Sequence, residues 1–559
     1  MVSDRRVSAS GQHDRVIAIA RALTAAFLVA MAVVVVYVVA ARFSFPGELE
    51  WMAGSIVDHV ERVQHGEPVY APPSADWIPF IYTPGYYWVA AAFAHAMPLV
   101  PACRLVSILS SLMAAFCTYF LARGAGATRY LAGLAPLLFV GCFGYVCAWY
   151  DVERSDALLV AVLAVAAVVL QRWTSLGAAA ASGALVGLAF FVKQPASMFI
   201  AVVPVVLVLA RQTKRALAFA AGAVVGLVPL LAWLQASTKG WFWFYCVKEP
   251  SAHGMAAKYI TMFFVADLSK ALVLTIATFG AVAWLVATAR DRLAARDVSV
   301  DQAKIVLAAF VVAGFVASGT SRMHVGGWPN VLVFWTTFAV PAVSVLVTRL
   351  ESIGSRAVTC AALAAVALQA GAFVTDPNDA VPDHDALAAT EDVSSRVAAF
   401  EKSGDVLVLG RGHVTRRRHP HINALVDLIR AGNEPPSDLR DKIAERQFAA
   451  IVLDDMDDIR MKLLLGHESE LFAIVTRSYF VAECFDDRAP MPVVGYPTRP
   501  RWVLRPRRTP LALDHDALLA RQYVEMGLAE ANMRAAQGNP SRRSDGLDIE
   551  ERAAGSASP

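Results

Sequence analysis

The chain contains few charged residues for its length. Of its 559 residues, 17% are Asp, Glu, Lys or Arg, whereas soluble domains average about 25%. Its net charge of +3 is too small to indicate a nucleic-acid-binding protein. The seven cysteines form no CxxC pair, and no disulfide between Cys246 and Cys484 is predicted. This composition excludes an ordinary soluble enzyme, a disordered chain and a fibrous protein.

Hydrophobic residues, at 57% of the chain, take the place of the missing charges. They form apolar runs at 16–41, 80–98, 104–122, 130–149, 156–171, 177–192, 195–210, 216–236, 262–289, 303–318, 330–348 and 357–375. A helix needs about 20 residues to cross a bilayer core of about 30 Å. The run 16–41 is longer than the apolar part of a signal peptide, which favours a retained anchor helix. The sequence therefore predicts an α-helical, multi-spanning membrane protein.

Basic residues between the runs predict the topology. They lie at Arg123/Arg129, Arg172, Arg211/Lys214/Arg215, Arg290/Arg292/Arg296 and Arg349/Arg356. All of them fall on the cytoplasmic side, with residues 1–15, when 80–98 is a juxtamembrane segment rather than a span. This arrangement predicts about 11 transmembrane helices, a first external loop at 43–103 with juxtamembrane helices, and an external C-terminus.

The composition changes after Asp376, where no further spanning run occurs. Residues 383–505 predict a small external α/β domain. Strands are expected at 405–410, 448–453 and 472–485, and helices at 422–432, 437–447 and 458–466. Residues 506–559 are expected to form a tail, helical over 514–536 and disordered over 537–559, since its end is rich in Gly, Ser, Pro and charge.

Several ionisable residues fall on the predicted external face. Glu48 and Glu50 follow the first span, where a carboxylate can serve as a general base; solvated acids at a helix start are the alternative. The segment Tyr150-Asp-Val-Glu-Arg-Ser-Asp156 offers Asp151, Arg154 and Asp156. Its alternative is a plain loop capped by Ser155 or Asp156.

Two further positions complete the set. Lys193 and Gln194 stand where two apolar helices meet, and a lone lysine there either binds an anion or extends to the interface. His324 and Asn330 lie beside a Gly-Gly turn, and Tyr82 lies in the juxtamembrane run. A sugar leaving a polyprenyl phosphate needs fixed positive charge near the phosphate and a base for the acceptor hydroxyl. Arg154 and Lys193 fit the first need, and Glu50 or Glu48 the second.

The order of these motifs carries a family resemblance. They are the acids Glu48 and Glu50, Gly66-Glu-Pro-Val-Tyr70, Tyr82-Thr-Pro-Gly-Tyr-Tyr87, Arg154-Ser-Asp156, Lys193-Gln194, and Gly326-Gly327 with Asn330. Over about residues 16–375 the chain resembles the GT-C superfamily of membrane glycosyltransferases. It is most similar to bacterial protein-mannosyltransferase-like and aminoarabinose-transferase-like enzymes.

The resemblance implies an inverting transfer of a sugar from a polyprenyl-phosphate donor, outside the bacterial plasma membrane. It implies an acidic catalytic residue in the first external loop. That loop commonly carries Asp in the family and here carries Glu, which leaves open whether Glu48 or Glu50 is the base. Arg154 and Lys193 are expected to contact phosphate, and Asp156 to orient Arg154. Asp151, Gln194, His324 and Tyr82 are further expected donor contacts.

Partners and alternatives follow from the same reading. We expect a polyprenyl-phosphate-linked sugar donor, a lipid, glycan or protein acceptor, surrounding membrane lipids, and no nucleic acid. No cofactor is predicted, and a divalent cation stays open. The alternative function is a transporter or lipid flippase, which predicts ionisable residues deep inside several spans and a repeated half. Here such residues gather at the predicted external edges.

Overall fold

The fold consists of a helical bundle followed by a small α/β domain. The computed structural model describes residues 2–294, 302–410, 412–415, 418–455, 469–538, 549–550 and 553. The predicted helix 458–466 lies outside these residues, as does most of the predicted disordered segment 537–559.

The helical part contains thirteen described helices of ten residues or more. They are α1 (Val2–Phe43), α2 (Ala53–Gln64), α3 (Gly85–Ala94), α4 (Leu99–Gly124), α5 (Arg129–Gly141), α6 (Asp156–Arg172), α7 (Leu176–Ala189), α8 (Ala196–Leu209), α9 (Thr213–Ser237), α10 (Leu272–Ala294), α11 (Gln302–Met323), α12 (Val333–Glu351) and α13 (Arg356–Gly371). Short helical pieces occupy 241–270 between α9 and α10.

The bundle is that of a multi-pass membrane protein. Five described helices are long and apolar enough to cross a membrane: Arg15–Phe43, Leu99–Gly124, Thr213–Ser237, Gln302–Met323 and Pro329–Ser352. A sixth crossing is available if Ala257–Lys270 and Leu272–Ala287, bent by 102°, act together. Helices α5, α7, α8 and α13 are apolar but shorter. The count of eleven spans therefore stays a prediction.

The juxtamembrane segment is short and helical. Only the ten residues Gly85–Ala94 of the run 80–98 form a helix, and at 1.5 Å per residue this covers about 15 Å, half of a bilayer core. The helix packs beside α2 and α4. A transmembrane role for 80–98 is thus incompatible with its length.

Two apolar runs are broken where continuous helices were expected. The run 130–149 is helical only to Gly141, and Cys147 and Ala148 both have φ of 57°. This turn directs the Ala148 carbonyl to the buried guanidinium of Arg42, a tertiary contact that outweighs helix propensity. The run 262–289 is interrupted at Ala271, whose ψ of 45° lies outside the helical range.

The C-terminal domain is built on one mixed four-stranded sheet. Its strands are β1 (Asp405–Val408), β2 (Phe448–Asp454), β3 (Tyr479–Cys484) and β4 (Pro500–Pro506), in the order β1-β2-β4-β3. The β1–β2 pair is parallel and the other pairs are antiparallel. Its helices are α14 (His384–Glu401), α15 (Ile422–Arg430), α16 (Ser437–Ala444), α17 (Glu470–Ser478) and α18 (His515–Gly538).

Both faces of this sheet are covered, which explains why β2 is apolar from Phe448 to Leu453. Leu407 and Ile451 pack in one cluster with residues of α15, α16 and α17. Val406 and Val452 pack in the other with residues of α14. The period of two along each strand therefore divides its side chains between two cores.

One expected strand of this domain was partly wrong, and two of its features were not predicted. Residues 472–478 belong to α17, so that only the second half of the predicted strand 472–485 is extended. Strand β4 was not predicted. The helix assigned to a tail belongs to the domain, because buried Glu525 of α18 pairs with Arg507 at 2.7 Å and accepts the Val481 N–H.

Candidate functional site

The loop between α1 and α2 is positioned by one buried arginine. The Arg104 guanidinium donates hydrogen bonds to the backbone carbonyls of Arg42, Phe43, Phe45 and Gly47. Its Nε also lies 2.6 Å from Glu153 Oε1, and both side chains are 1% exposed. Arg104 of α4 therefore fixes both the α1–α2 loop, which carries Glu48 and Glu50, and the 142–155 loop, which carries Arg154.

Replacing Arg104 with Met is expected to lower the free energy of unfolding by about 3–5 kcal/mol, since it leaves a buried carboxylate and several carbonyls unpaired. The measurement is the melting temperature of the detergent-solubilised protein, followed by tryptophan fluorescence. The double variant Arg104→Met/Glu153→Leu should regain part of the loss, because it removes the unpaired charge. Equal melting temperatures for the single variant and the unmodified chain would contradict this role.

Asp151 has a buried arginine partner on α1. Its Oδ1 lies 3.1 Å from Arg42 Nη1, and the Arg42 Nε–H donates to the Ala380 carbonyl at 2.6 Å. This pairing holds α1 against the 142–155 loop and the start of the C-terminal domain. Donor binding by Asp151 stays a prediction.

The two candidate bases have different surroundings. Glu48 Oε1 accepts the Gly54 N–H at 3.1 Å and lies 3.2 Å from Nδ1 of His413 in the C-terminal domain. Glu50 is 0% exposed. Its Oε2 accepts the Met52 N–H at 3.1 Å, whereas its Oε1 has no hydrogen-bond partner among the described residues. Glu50 therefore keeps one carboxylate oxygen to which no described residue donates a hydrogen bond.

Arg154 and Tyr82 stand beside Glu50. The Arg154 Nη1 lies 3.5 Å from Glu50 Oε2, and its Nη2 donates to the Tyr82 hydroxyl at 2.6 Å. The guanidinium also lies over the Tyr82 ring at 4.7 Å and over the Trp149 ring at 5.6 Å. The planar cation is thereby held by a carboxylate, a phenol and two aromatic faces, all of which favour its charged form.

A second cation lies on the same tyrosine. Lys193 Nζ is 5.5 Å from the centre of the Tyr82 ring and 2.7 Å from Asp156 Oδ1. The same Asp156 oxygen accepts from Asn330 Nδ2 at 3.0 Å, and Asp156 Oδ2 has no partner within the described part of the chain. We call Glu50, Tyr82, Arg154, Asp156, Lys193 and Asn330 the Glu50 cluster.

The cluster differs from expectation in its pairing. Asp156 was expected to orient Arg154, but its contacts are with Lys193 and Asn330, and Glu50 and Tyr82 hold Arg154 instead. Ser155 stands at the N-cap of α6 without a side-chain capping bond. The 150–156 segment is therefore a part of the charged cluster rather than a plain capped loop.

The remaining predicted residues lie at the margin. Gln194 Nε2 donates to the carbonyls of Ile81 and Cys246, which fixes the turn between α7 and α8. His324 Nδ1 lies 2.8 Å from the Val325 carbonyl oxygen, and its ring is 5.9 Å from that of His253. Sugar or phosphate contact by these two side chains stays a prediction.

Burial controls the protonation of the candidate base. It raises the pKa of Glu50 from its ordinary value of 4.5 to about 7, against the opposing effects of Arg154 and the Met52 N–H. Burial also lowers the pKa of Lys193, with Asp156 opposing the shift. A carboxyl with a pKa near neutrality is suited to accept a proton from a hydroxyl at physiological pH.

Sequence reasoning missed the residues that the C-terminal domain brings to this end of the bundle. His413 meets Glu48, and the His421 Nε2 lies 3.1 Å from the Trp51 carbonyl oxygen. Asp427 Oδ1 lies 3.1 Å from His253 Nε2. No spacing in the sequence predicts such contacts, because they join segments more than 170 residues apart.

Comparison by sequence finds no match among protein family models or among curated proteins. Comparison of structures finds a crystal structure of ArnT from Cupriavidus metallidurans bound to undecaprenyl phosphate, with a TM-score of 0.50 and 15% identity. The match covers 86% of this chain and 97% of that one. Its fold resembles that of ArnT. The apo structure of ArnT from the same organism matches with a TM-score of 0.51 and 15% identity, over 85% of this chain and 97% of that one.

The likeness to ArnT is one of fold, and it agrees with the resemblance predicted from the sequence. The match covers most of the chain, so the ArnT-like fold extends beyond the resemblance predicted over residues 16–375. Within the described ranges, no three His, Cys, Asp or Glu side chains are grouped so as to hold a metal ion.

Proposed function

We propose that this chain is an integral membrane glycosyltransferase of the GT-C type. It moves a sugar from a polyprenyl-phosphate donor to an acceptor hydroxyl on the external face of the plasma membrane. The observation that supports the proposal most is the Glu50 cluster. It places a buried carboxylate oxygen that no described residue hydrogen-bonds near two cations that lie over a single tyrosine ring. The ArnT structure bound to undecaprenyl phosphate supports the class of donor.

The proposed roles follow from the chemistry of each group. Glu50 accepts the acceptor proton at Oε1 while the acceptor oxygen forms the new bond to the anomeric carbon. Arg154 and Lys193 stabilise the polyprenyl phosphate as it leaves with the electrons of the broken bond. Attack opposite the leaving phosphate inverts the anomeric centre. Phosphate is a good leaving group at neutral pH, so a strong general acid is not required.

The test is made with the purified full-length protein in lipid nanodiscs. A panel of undecaprenyl-phosphate-linked sugars is offered together with extracted envelope lipids and glycans, and release of undecaprenyl phosphate is followed by mass spectrometry. We expect release with at least one donor, and a product of inverted anomeric configuration by NMR. Absence of release with every donor, combined with movement of labelled donor between leaflets of proteoliposomes, would support the flippase instead.

Sidedness gives an independent prediction. In a cysteine-free background, Asp487→Cys in the C-terminal domain is expected to react with an impermeant maleimide in sealed, right-side-out vesicles. Lys214→Cys, which is exposed in the first turn of α9 and predicted on the cytoplasmic side, should react only after permeabilisation. Both side chains are accessible in the fold, Asp487 being 86% exposed. Labelling of both thiols, or of neither, before permeabilisation would overturn the proposed topology.

A further inference from the structure

The C-terminal domain touches the candidate base directly. Its segment Val494-Gly495 runs beside the α1–α2 loop, where Val494 forms a parallel bridge with Glu50 and its N–H donates to the Leu49 carbonyl at 3.0 Å. These backbone contacts join residues about 445 positions apart in sequence. The reacting end of the bundle is therefore closed by a different domain.

Gly495 makes the closest approach. It adopts φ of 80°, and a Cβ built at this position would stand 3.0 Å from Glu50 Oε1, 3.1 Å from Glu50 Cγ and 2.9 Å from Trp51 Cδ1. Separations this short leave no room for a methyl group. The backbone of Gly495 consequently lies against the one oxygen of Glu50 that no described residue hydrogen-bonds.

Neighbouring contacts hold the two domains in this register. Gly412 approaches Gly54 so closely that a Cβ on either would meet the other's backbone at 2.8–2.9 Å. His413 lies 3.2 Å from Glu48, and the rings of His421 and Trp51 are 5.0 Å apart. The domain therefore contacts residues on both sides of Glu50 in the chain, Glu48 and Trp51.

We propose that the C-terminal domain forms one wall of the reaction site and that Gly495 is the positioning residue for Glu50. This inference rests on the proposed function for the role of Glu50. The wall excludes water from Oε1 and fixes the direction of the carboxylate. The C-terminal domain is then required for the rate of transfer and not only for stability.

The experiment compares Gly495→Ala with Gly432→Ala. Gly432 lies in the same domain, has a nearly equal φ of 81° and has nothing within 4 Å of its Cβ position. Both variants therefore carry the same backbone strain, and only Gly495→Ala crowds Glu50. The added methyl group should displace the wall and admit water to Glu50 Oε1. We therefore expect Gly495→Ala to lower kcat at least tenfold, with the donor KM within twofold. The acidic limb of kcat/KM should move by at least half a pH unit toward lower pH. Gly432→Ala should leave all three unchanged.

A second readout does not depend on turnover. Reaction of Glu50 with a water-soluble carbodiimide, measured by mass spectrometry, should rise at least threefold in Gly495→Ala and stay at the unmodified level in Gly432→Ala. Val494→Pro, which removes the N–H bonded to the Leu49 carbonyl and leaves Gly495 unchanged, serves if Gly495→Ala does not fold, and the same rise is expected. If the unmodified chain transfers no sugar, the proposed function fails while this labelling still decides the inference. Unchanged labelling in the folded variant would overturn the inference.

Discussion

Replacing Glu50 with Gln is expected to lower the rate of sugar transfer by about 10³-fold, within the 10²–10⁴ that a general base typically contributes. Gln has nearly the same shape and still accepts the Met52 N–H, but it cannot take a proton. Binding of undecaprenyl phosphate should stay within threefold of the unmodified chain, because Arg154 and Lys193 are untouched. The measurements are single-turnover transfer in nanodiscs and equilibrium binding of the lipid.

The pH dependence of kcat/KM is a second test of Glu50 as the base. Below a pH of about 7 Glu50 is protonated and unable to act, so kcat/KM should rise with pH through that region and then level off. Glu50→Gln should lose this limb. Its residual activity, if equally pH-dependent, would show that another group is the base.

The same substitution should stabilise the fold at alkaline pH. A carboxyl whose pKa is 4.5 when exposed and about 7 when buried binds its proton more tightly in the folded chain. At pH 8 ionisation of Glu50 therefore costs the fold about 3 kcal/mol, taking 1.36 kcal/mol per pKa unit, and below pH 4.5 it costs nothing. We expect Glu50→Gln to melt at a higher temperature than the unmodified chain at pH 8, with little difference at pH 4.5.

Glu48→Gln is the matched control for both effects. Glu48 is held by the Gly54 N–H and by His413, so its substitution should reduce transfer less than tenfold and leave the pH limb in place. A larger loss for Glu48→Gln than for Glu50→Gln would exchange the roles of the two residues.

The sequence predicted the cluster better than its internal pairing. Apolar runs and basic loops were enough to place Glu50, Arg154 and Lys193 at one end of a bundle, because helix length and sidedness follow from composition. Which carboxylate meets which cation depends on side-chain geometry within a few ångströms. Asp156 consequently paired with Lys193 and Asn330, and not with Arg154.

The errors of the sequence analysis have tertiary causes. The helix expected over 130–149 ends at Gly141 because residues of the 142–155 loop pair with Arg42 and Arg104, which are distant in sequence. The strand expected over 472–485 begins as a helix, since an apolar run of this length fits either a strand or a helix. No local sequence pattern predicts that the C-terminal domain packs against Glu48 and Glu50.

Arg154→Met is expected to reduce kcat/KM for the donor by about 10³-fold, the second of the two largest effects. Removing one fixed charge or donor from a preorganised site typically costs 10²–10³ in rate. This change also removes the hydrogen bond to the Tyr82 hydroxyl and leaves Glu50 without its cation. Loss of that cation should raise the pKa of Glu50 further, because Arg154 opposes the effect of burial. The acidic limb of kcat/KM should therefore move to higher pH, opposite to the shift expected for Gly495→Ala.

Lys193→Met and Lys248→Met separate phosphate stabilisation from general electrostatics. Lys193 lies over Tyr82 in the cluster, whereas Lys248 is exposed and lies over Phe244. Both substitutions remove one positive charge, but only Lys193→Met should weaken undecaprenyl-phosphate binding and transfer, by about 10²-fold at constant ionic strength. If the two lysine variants lost activity equally, the lysines would act through the overall positive charge of the protein and not by direct contact with the phosphate. If Arg154→Met bound and transferred normally, the phosphate would lie elsewhere and the Glu50 cluster would not be the reaction site.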